Sequence, residues 1–251
     1  MAHDFQGKTV FITGASSGIG AALAQAFQSA GATVIGTSRS ADRLPSWLQH
    51  GVVMDVTDAD SVAQGCAMVE QEHGAVDIVV NNAGIGLFMD WHETSIAEYQ
   101  RIMDVNLYGA IRVTQALLPG MVERGSGTLV NIASVAGERG YPKHSAYCAS
   151  KHAMLGWSKG LRKDLKGTGV HMVDICPPAI DTPFFENAGF LDYREKHPGL
   201  ELMSPETVAE HTLDAVTRKQ RGRILGRRAR ILWLLDTLSP ASLDLLQRFK
   251  S

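Results

Sequence analysis

TVFITGASSGIGAALAQAFQSA, residues 9–30, decides how this chain folds. It opens with a short strand pattern, Thr9–Thr13, and closes with a helical one, Ile19–Ala30. Between them TGASSGIG, Thr13 to Gly20, has to turn strand into helix. A turn in this place brings backbone N–H groups up to a pyrophosphate. Side chains would block that approach, which explains Gly14, Gly18 and Gly20. The helix that follows offers free N–H donors and the positive end of its dipole. Ser16, Ser17 and Ile19 lie inside the turn and are assigned with it to a dinucleotide site. The turn itself carries no GK[ST], so a nucleoside-triphosphate loop is set aside.

Outward from this unit, the chain alternates short β-rich runs with longer helical ones. The strand candidates are Thr33–Thr37, Gly51–Met54, Ile78–Asn81, Thr128–Ile132 and His171–Cys176. Several are continuous apolar runs, as parallel strands buried on both faces require. Helical patterns cover Ala59–Glu72, Ile96–Glu123 and Ala146–Leu165. The alternation predicts an α/β fold: one Rossmann-like, doubly wound parallel sheet with helices on both faces, in a single domain over 1–251. Residues 183–203, PFFENAGFLDYREKHPGLELM, read as an irregular excursion or substrate lid. A helix resumes after Ser204-Pro205, with Ser204 as cap and Pro205 at the first helical position.

A chain of 251 residues with 45% apolar and 20% charged residues buries a full core without staples. Cys66, Cys148 and Cys176 match no zinc or redox spacing, and their odd number argues against a disulfide framework. Buried thiols in a reducing compartment are expected. The start has no signal-peptide pattern and no apolar run reaches transmembrane length, so a cytoplasmic protein is the expectation. The formal charge of −2 hides an asymmetry: RKQRGRILGRRAR, residues 218–230, holds seven basic and no acidic residues. In the C-terminal segment, 229–251, Ile231, Leu234, Leu235 and Leu238 form an apolar stripe that Leu245 and Phe249 resume. Such a stripe beside basic residues suits packing on its own domain, a second subunit or peripheral contact with an anionic membrane. No motif supports nucleic-acid binding.

The turn has a rival reading. Gly14-Ala15-Ser16-Ser17-Gly18 also satisfies G-x-S-x-G, the nucleophile elbow of α/β-hydrolases, with Ser16 as nucleophile. That fold takes an oxyanion donor from a loop after an earlier strand, and thirteen residues before Gly14 leave no room for one.

Two further regions carry chemistry. The residue that reads the adenosine ribose is expected about 20 positions beyond the glycines, at the end of the second strand. Gly36-Thr37-Ser38-Arg39-Ser40 stands there, without the Asp or Glu that would hold a 2′-hydroxyl. Arg39 and Ser38 instead suit a 2′-phosphate, which points to NADP(H). The second region is SAYCASK. Tyr147 and Lys151 at i and i+4 share a helix face, and a nearby ammonium would lower the tyrosine pKa for proton transfer. Ser134, after the apolar strand Thr128–Ile132, is placed where ligands meet an open sheet. Asn106, a poor helix former inside a predicted helix, suggests a special role.

Together these residues resemble the short-chain dehydrogenase/reductase family over nearly the whole chain. TGASSGIG matches its glycine motif, Asn81-Asn82-Ala83-Gly84 its NNAG motif, and Asn106, Ser134, Tyr147 and Lys151 its catalytic tetrad. The resemblance implies a carbonyl/alcohol oxidoreductase in which Tyr147 passes the proton, Ser134 holds the substrate oxygen, Lys151 binds the nicotinamide ribose, and Asn106 holds a water in a proton relay. Asp55 and Val56 would lie by the adenine, with Asn82, Ala83, Gly84, Pro177, Ile180 and Thr182 along the rest of the cofactor. Ile85, Leu87, Val135, Tyr141, Phe184, Phe185 and Phe190 would line an apolar substrate pocket. A homodimer or homotetramer is expected, and no metal. Pro177-Pro178 replaces the family's usual Pro-Gly, which predicts a different path for the nicotinamide loop. Ala133 replaces a frequent Ser before Ser134, without expected effect. A cofactor-binding regulator without turnover would not need the tetrad.

Overall fold

The computed structural model describes residues 3–184 and 202–238. The chain runs β1 (Thr9–Ile12), α1 (Gly18–Ser29), β2 (Thr33–Ser38), β3 (His50–Val53), α2 (Ala59–His73), β4 (Ile78–Asn81) and α3 (Ile96–Met103). It continues through α4 (Gly109–Glu123), β5 (Gly127–Ile132), α5 (Ser145–Asp164), β6 (Val170–Cys176), α6 (Pro205–Thr217), β7 (Gly222–Ile224) and α7 (Arg227–Leu238). All seven strands join one parallel sheet in the order β3-β2-β1-β4-β5-β6-β7.

Alternation along each strand splits the core in two. Val10 and Ile12 of β1 face a layer that includes Leu23 and Phe27 of α1 and Val208 and Leu213 of α6. Phe11 between them faces the opposite layer, with Val62 and Val69 of α2 and Val113 and Leu117 of α4. Both faces of the sheet are covered, which is why its strands read as continuous apolar runs. The chain winds outward from β1 to β3 and then returns to β4. The order therefore reverses at β1/β4, and a crevice opens at the carboxyl ends of these strands.

The expected strands and helices recur with end shifts of one residue or so, with two exceptions. The helix predicted over Ile96–Glu123 is interrupted by a π-helical turn, Asp104–Tyr108. Strand β7 falls inside the basic run, where three residues among so many charges give no strand pattern. It pairs with β6, and the run around it is not uniformly free charge. Arg218 and Arg223 each lie 2.7 Å from an oxygen of Asp214. Arg223, through its hydrogen bond, is the main cause holding that carboxyl below its usual range. Ser204 caps α6 as expected, its Oγ accepting from Thr207 N at 3.2 Å. The last residue of the 183–203 excursion pairs with the chain just before it: Met203 N donates to Ala179 O and Asp181 N to Met203 O, both at 3.0 Å. Cys66, Cys148 and Cys176 are free and buried. Among the described residues no helix is long and apolar enough to cross a membrane, and no group of three His, Cys, Asp or Glu is placed to hold a metal.

Candidate active site

The crevice at the switch point is a cleft of about 1790 Å³, and it draws residues from both ends of the sheet. At one end lies the glycine turn. Gly14 and Gly18 have φ of 68° and 54°, the left-handed region that glycine tolerates. Gly20 is required for a different reason: a Cβ there would stand 2.1 Å from Gly14 O and 2.5 Å from Asn82 Nδ2. Asn82 in turn fastens the turn from β4, Nδ2 donating to Thr13 O at 2.9 Å and Gly14 O at 3.0 Å. Thr13 Oγ1 returns the favour by accepting from Asn82 N and Ala83 N, each at 3.0 Å. The glycine motif and the NNAG motif are thus two halves of one hydrogen-bonded unit.

Ser17 is the N-cap of α1, yet its side chain makes no capping bond. The first N–H groups of α1 therefore point at the cleft without a side-chain cap, as a pyrophosphate site requires. Ala15 N donates to Thr37 O at 2.9 Å, which ties the turn to the end of β2. There Ser38 is buried while Arg39 and Arg43 are exposed, and all three line the cleft. Arg43, one turn beyond Arg39, escaped the sequence reading; only its spacing within SRSADR could have suggested it. Asp55 accepts from Thr57 N at 2.9 Å and Thr57 Oγ1 at 2.8 Å. Its carboxyl lies below the usual value: burial pushes it up, and the two Thr57 bonds with Arg39 and Arg112 outweigh that.

At the other end, Tyr147 on α5, Ser134 at the end of β5 and Lys151 line the same cleft. Lys151 is 4% exposed. Its Nζ donates to Ile132 O at 2.8 Å and lies 5.8 Å from the Tyr147 ring centroid. Burial lowers Lys151 to about 8. Burial also pushes the Tyr147 phenol well above its ordinary value, with the Ser134 hydroxyl working against it. Burial therefore dominates at both groups in this arrangement, since low-dielectric surroundings disfavour the phenolate and the ammonium alike.

Asn106 is fully buried in the π-helical turn and does not line the cleft. Its Oδ1 accepts from Ile85 N at 2.8 Å, and its Nδ2 donates to Ile85 O and to Ser150 Oγ, both at 3.0 Å. Ser150 Oγ donates to Tyr147 O at 2.8 Å. Asn106 thus clamps the loop after β4 to the first turns of α5. A π-turn is a frequent way to aim a side chain that a regular helix would misplace.

Ile85, Val135, Tyr141 and Phe184 reach the cleft with Val56, Gly84, Pro177, Ile180 and Thr182. The Thr182 methyl lies against the glycine turn, 3.0 Å from where a Gly18 Cβ would be. Leu87 does not line the cleft; its carbonyl accepts from His144 Nδ1 at 3.0 Å. Phe185 and Phe190 lie outside the described residues. The structure adds Phe88 and His144, stacked edge-on at 4.5 Å. His144 lies 5.8 Å and Phe184 5.7 Å from the Tyr147 ring. Two rings therefore flank Tyr147, with Phe88 packed on the first of them. The sequence held little sign of His144 beyond its place three residues before Tyr147. Beside it, Lys143 has φ of 61° and holds Asp90 at 3.0 Å, a strained junction where α5 begins.

Comparison with known proteins settles the class. The family profile described as short chain dehydrogenase matches residues 8–189. The chain belongs to the short-chain dehydrogenase family. It is therefore an oxidoreductase of CH–OH groups, and the hydrolase reading of Ser16 falls with that membership. Among its relatives is the ketoacyl reductase HetN of a Nostoc species, 34% identical over 97% of this chain and 89% of the relative. A short-chain dehydrogenase from Streptomyces avermitilis superposes with a TM-score of 0.82 at 31% identity, covering 97% of both chains. A 3-ketoacyl-(acyl-carrier-protein) reductase from Brucella melitensis, solved with NADH, gives 0.79 at 28% identity over 87% of this chain and 95% of the other.

Proposed function

We propose that this short-chain dehydrogenase uses NADP(H) to interconvert a carbonyl and an alcohol on an apolar substrate, with Tyr147 passing the proton. The observation that carries the reading is one continuous cleft holding an uncapped helix start and two arginines at one end and Tyr147, Ser134 and Lys151 at the other.

The residues present fit a dinucleotide. The turn is held open by Gly20 and Asn82, and the first N–H groups of α1 take the pyrophosphate. Arg39, Arg43 and Ser38 suit a 2′-phosphate, since none of residues 38–40 is acidic. Relatives that bind NADH, such as the Brucella enzyme, are consistent with a nicotinamide cofactor of either kind. When bound, the nicotinamide supplies or accepts the hydride at the carbonyl carbon.

The protein's own part is proton management and positioning. In reduction, Tyr147 gives its proton to the oxygen as the carbon gains the hydride. A phenol whose pKa is raised by burial stays protonated at neutral pH, as a donor must. Ser134 holds the same oxygen and stabilises charge developing there. Lys151 binds the ribose and keeps a positive charge within reach of the phenol. Asn106 fixes the loop carrying Ile85 and is proposed to hold the relay water by a group other than its side-chain N–H groups, both of which are engaged. Phe88, Phe184 and Ile85 give the reaction end an apolar lining. The proposed assembly is a homodimer or homotetramer.

The test is NADPH oxidation with a panel of apolar ketones and β-ketothioesters. Turnover of at least one, lost in Tyr147→Phe, supports the reading; activity retained in that variant refutes the proton assignment.

A further inference from the structure

Helix α7 divides into two faces of different character. Ala229, Leu232, Trp233 and Asp236 are half-buried and recur at helical spacing on the inward side. Ala229 and Leu232 line the cleft, and Trp233 Nε1 donates to Glu138 Oε2 at 3.2 Å. The opposite face carries Arg230, Ile231, Leu234, Leu235 and Leu238, with Arg227 and Arg228 at its start, where they are exposed and also line the cleft mouth. The four aliphatic residues are 57%, 49%, 38% and 73% exposed, in chain order. The three arginines are exposed and form no ion pair among the described residues. Over a helix about 18 Å long the outward face is cationic at its start, aliphatic to its end, and free of acidic residues.

We propose that this face docks the protein on an anionic lipid surface, with α7 lying in the plane of the interface beside the cleft mouth. A soluble surface rarely offers four neighbouring aliphatic side chains without a partner. A second copy of the chain is a poor one. In an isologous pair centred on this face, α7 would meet α7. In an antiparallel pair the arginine end of each helix would be pressed on the aliphatic end of the other; in a parallel pair arginine would meet arginine. Either way guanidinium groups are buried with no carboxylate to pair them. An anionic bilayer answers both halves at once, with lipid phosphates for the arginines and the acyl boundary for Ile231, Leu234, Leu235 and Leu238. Docking on this face is independent of which nicotinamide cofactor the enzyme takes.

The experiment is sedimentation of the purified full chain with vesicles of phosphatidylcholine and phosphatidylglycerol in equal parts, and with phosphatidylcholine alone. The wild type should partition onto the anionic vesicles about tenfold better than onto the neutral ones, less so as salt is added. Leu234→Glu/Leu238→Glu should reduce the anionic partition about tenfold while leaving the mass on size exclusion and the unfolding midpoint unchanged. Absence of wild-type partition, or an unchanged partition in the variant, overturns the proposal. A smaller particle in the variant would instead assign the face to a second copy, and a lowered midpoint would show it packed on its own chain; each of these also overturns lipid docking.

Discussion

The two ends of the cleft are built by opposite means. The glycine-turn end is made of backbone, with N–H groups, a carbonyl that tolerates no Cβ beside it, and two exposed arginines at the rim. The Tyr147 end is made of side chains, several of them buried, and their charges are set by desolvation rather than by solvent. The first end should respond to substitution in affinity, the second in rate. A binding site assembled from backbone also leaves its mark in residue spacing, whereas a site assembled from packing leaves its mark in coordinates.

The largest expected effect breaks the comparison at its rate-determining end. Tyr147→Phe should lower kcat by about 10²–10⁴-fold, the usual contribution of a positioned general acid, with NADPH affinity nearly unchanged. Steady-state kinetics beside a binding titration read both, and a parallel loss of affinity would show that the two ends are not separable. Next is Gly20→Ala. A Cβ placed 2.1 Å from Gly14 O forces the turn apart, and an overpacking cost of about 3 kcal/mol is expected in chemical denaturation. NADPH binding should weaken with it; an unperturbed variant would show that the turn can yield.

Two changes at the rim sharpen the contrast further. Arg39→Asp should shift the NADPH/NADH affinity ratio about ten- to hundredfold toward NADH, as loss of a charge-assisted bond of about 1.5–3 kcal/mol predicts. The kcat with saturating NADH should hardly move. Arg43→Ala should change the same ratio by only a few-fold, since it removes a charge without adding a carboxylate that repels the phosphate. If Arg43 proves the larger of the two, the phosphate is read from the later position.

These differences also explain what the sequence could reveal. The sheet was legible because strands buried on both faces carry unbroken apolar runs, as in Ile78–Asn81. The glycine turn was legible because its constraint is local, although the reason for Gly20 was not: Gly14 O and Asn82 approach it only in three dimensions. Tyr147 and Lys151 announced themselves by spacing, but the burial of Lys151 and the desolvation that raises the Tyr147 phenol did not. Asn106 stood out as a misfit in a helix; that it clamps Ile85 and Ser150 from a π-turn depends on contacts across 21 and 44 residues. His144 and Phe88 were missed because nothing at the level of residue type separates a cleft aromatic from a core one. Strand β7 was hidden by the arginines around it, of which Arg223 turns out to be a structural partner of Asp214.

The central claim is that the glycine-turn end holds NADP(H). Equilibrium titration of the wild-type protein with NADPH and with NADH tests it most directly. NADPH should bind about ten- to hundredfold more tightly. Equal or tighter binding of NADH would contradict the role given to Arg39 and Arg43, and binding of neither would contradict the reading of the turn itself.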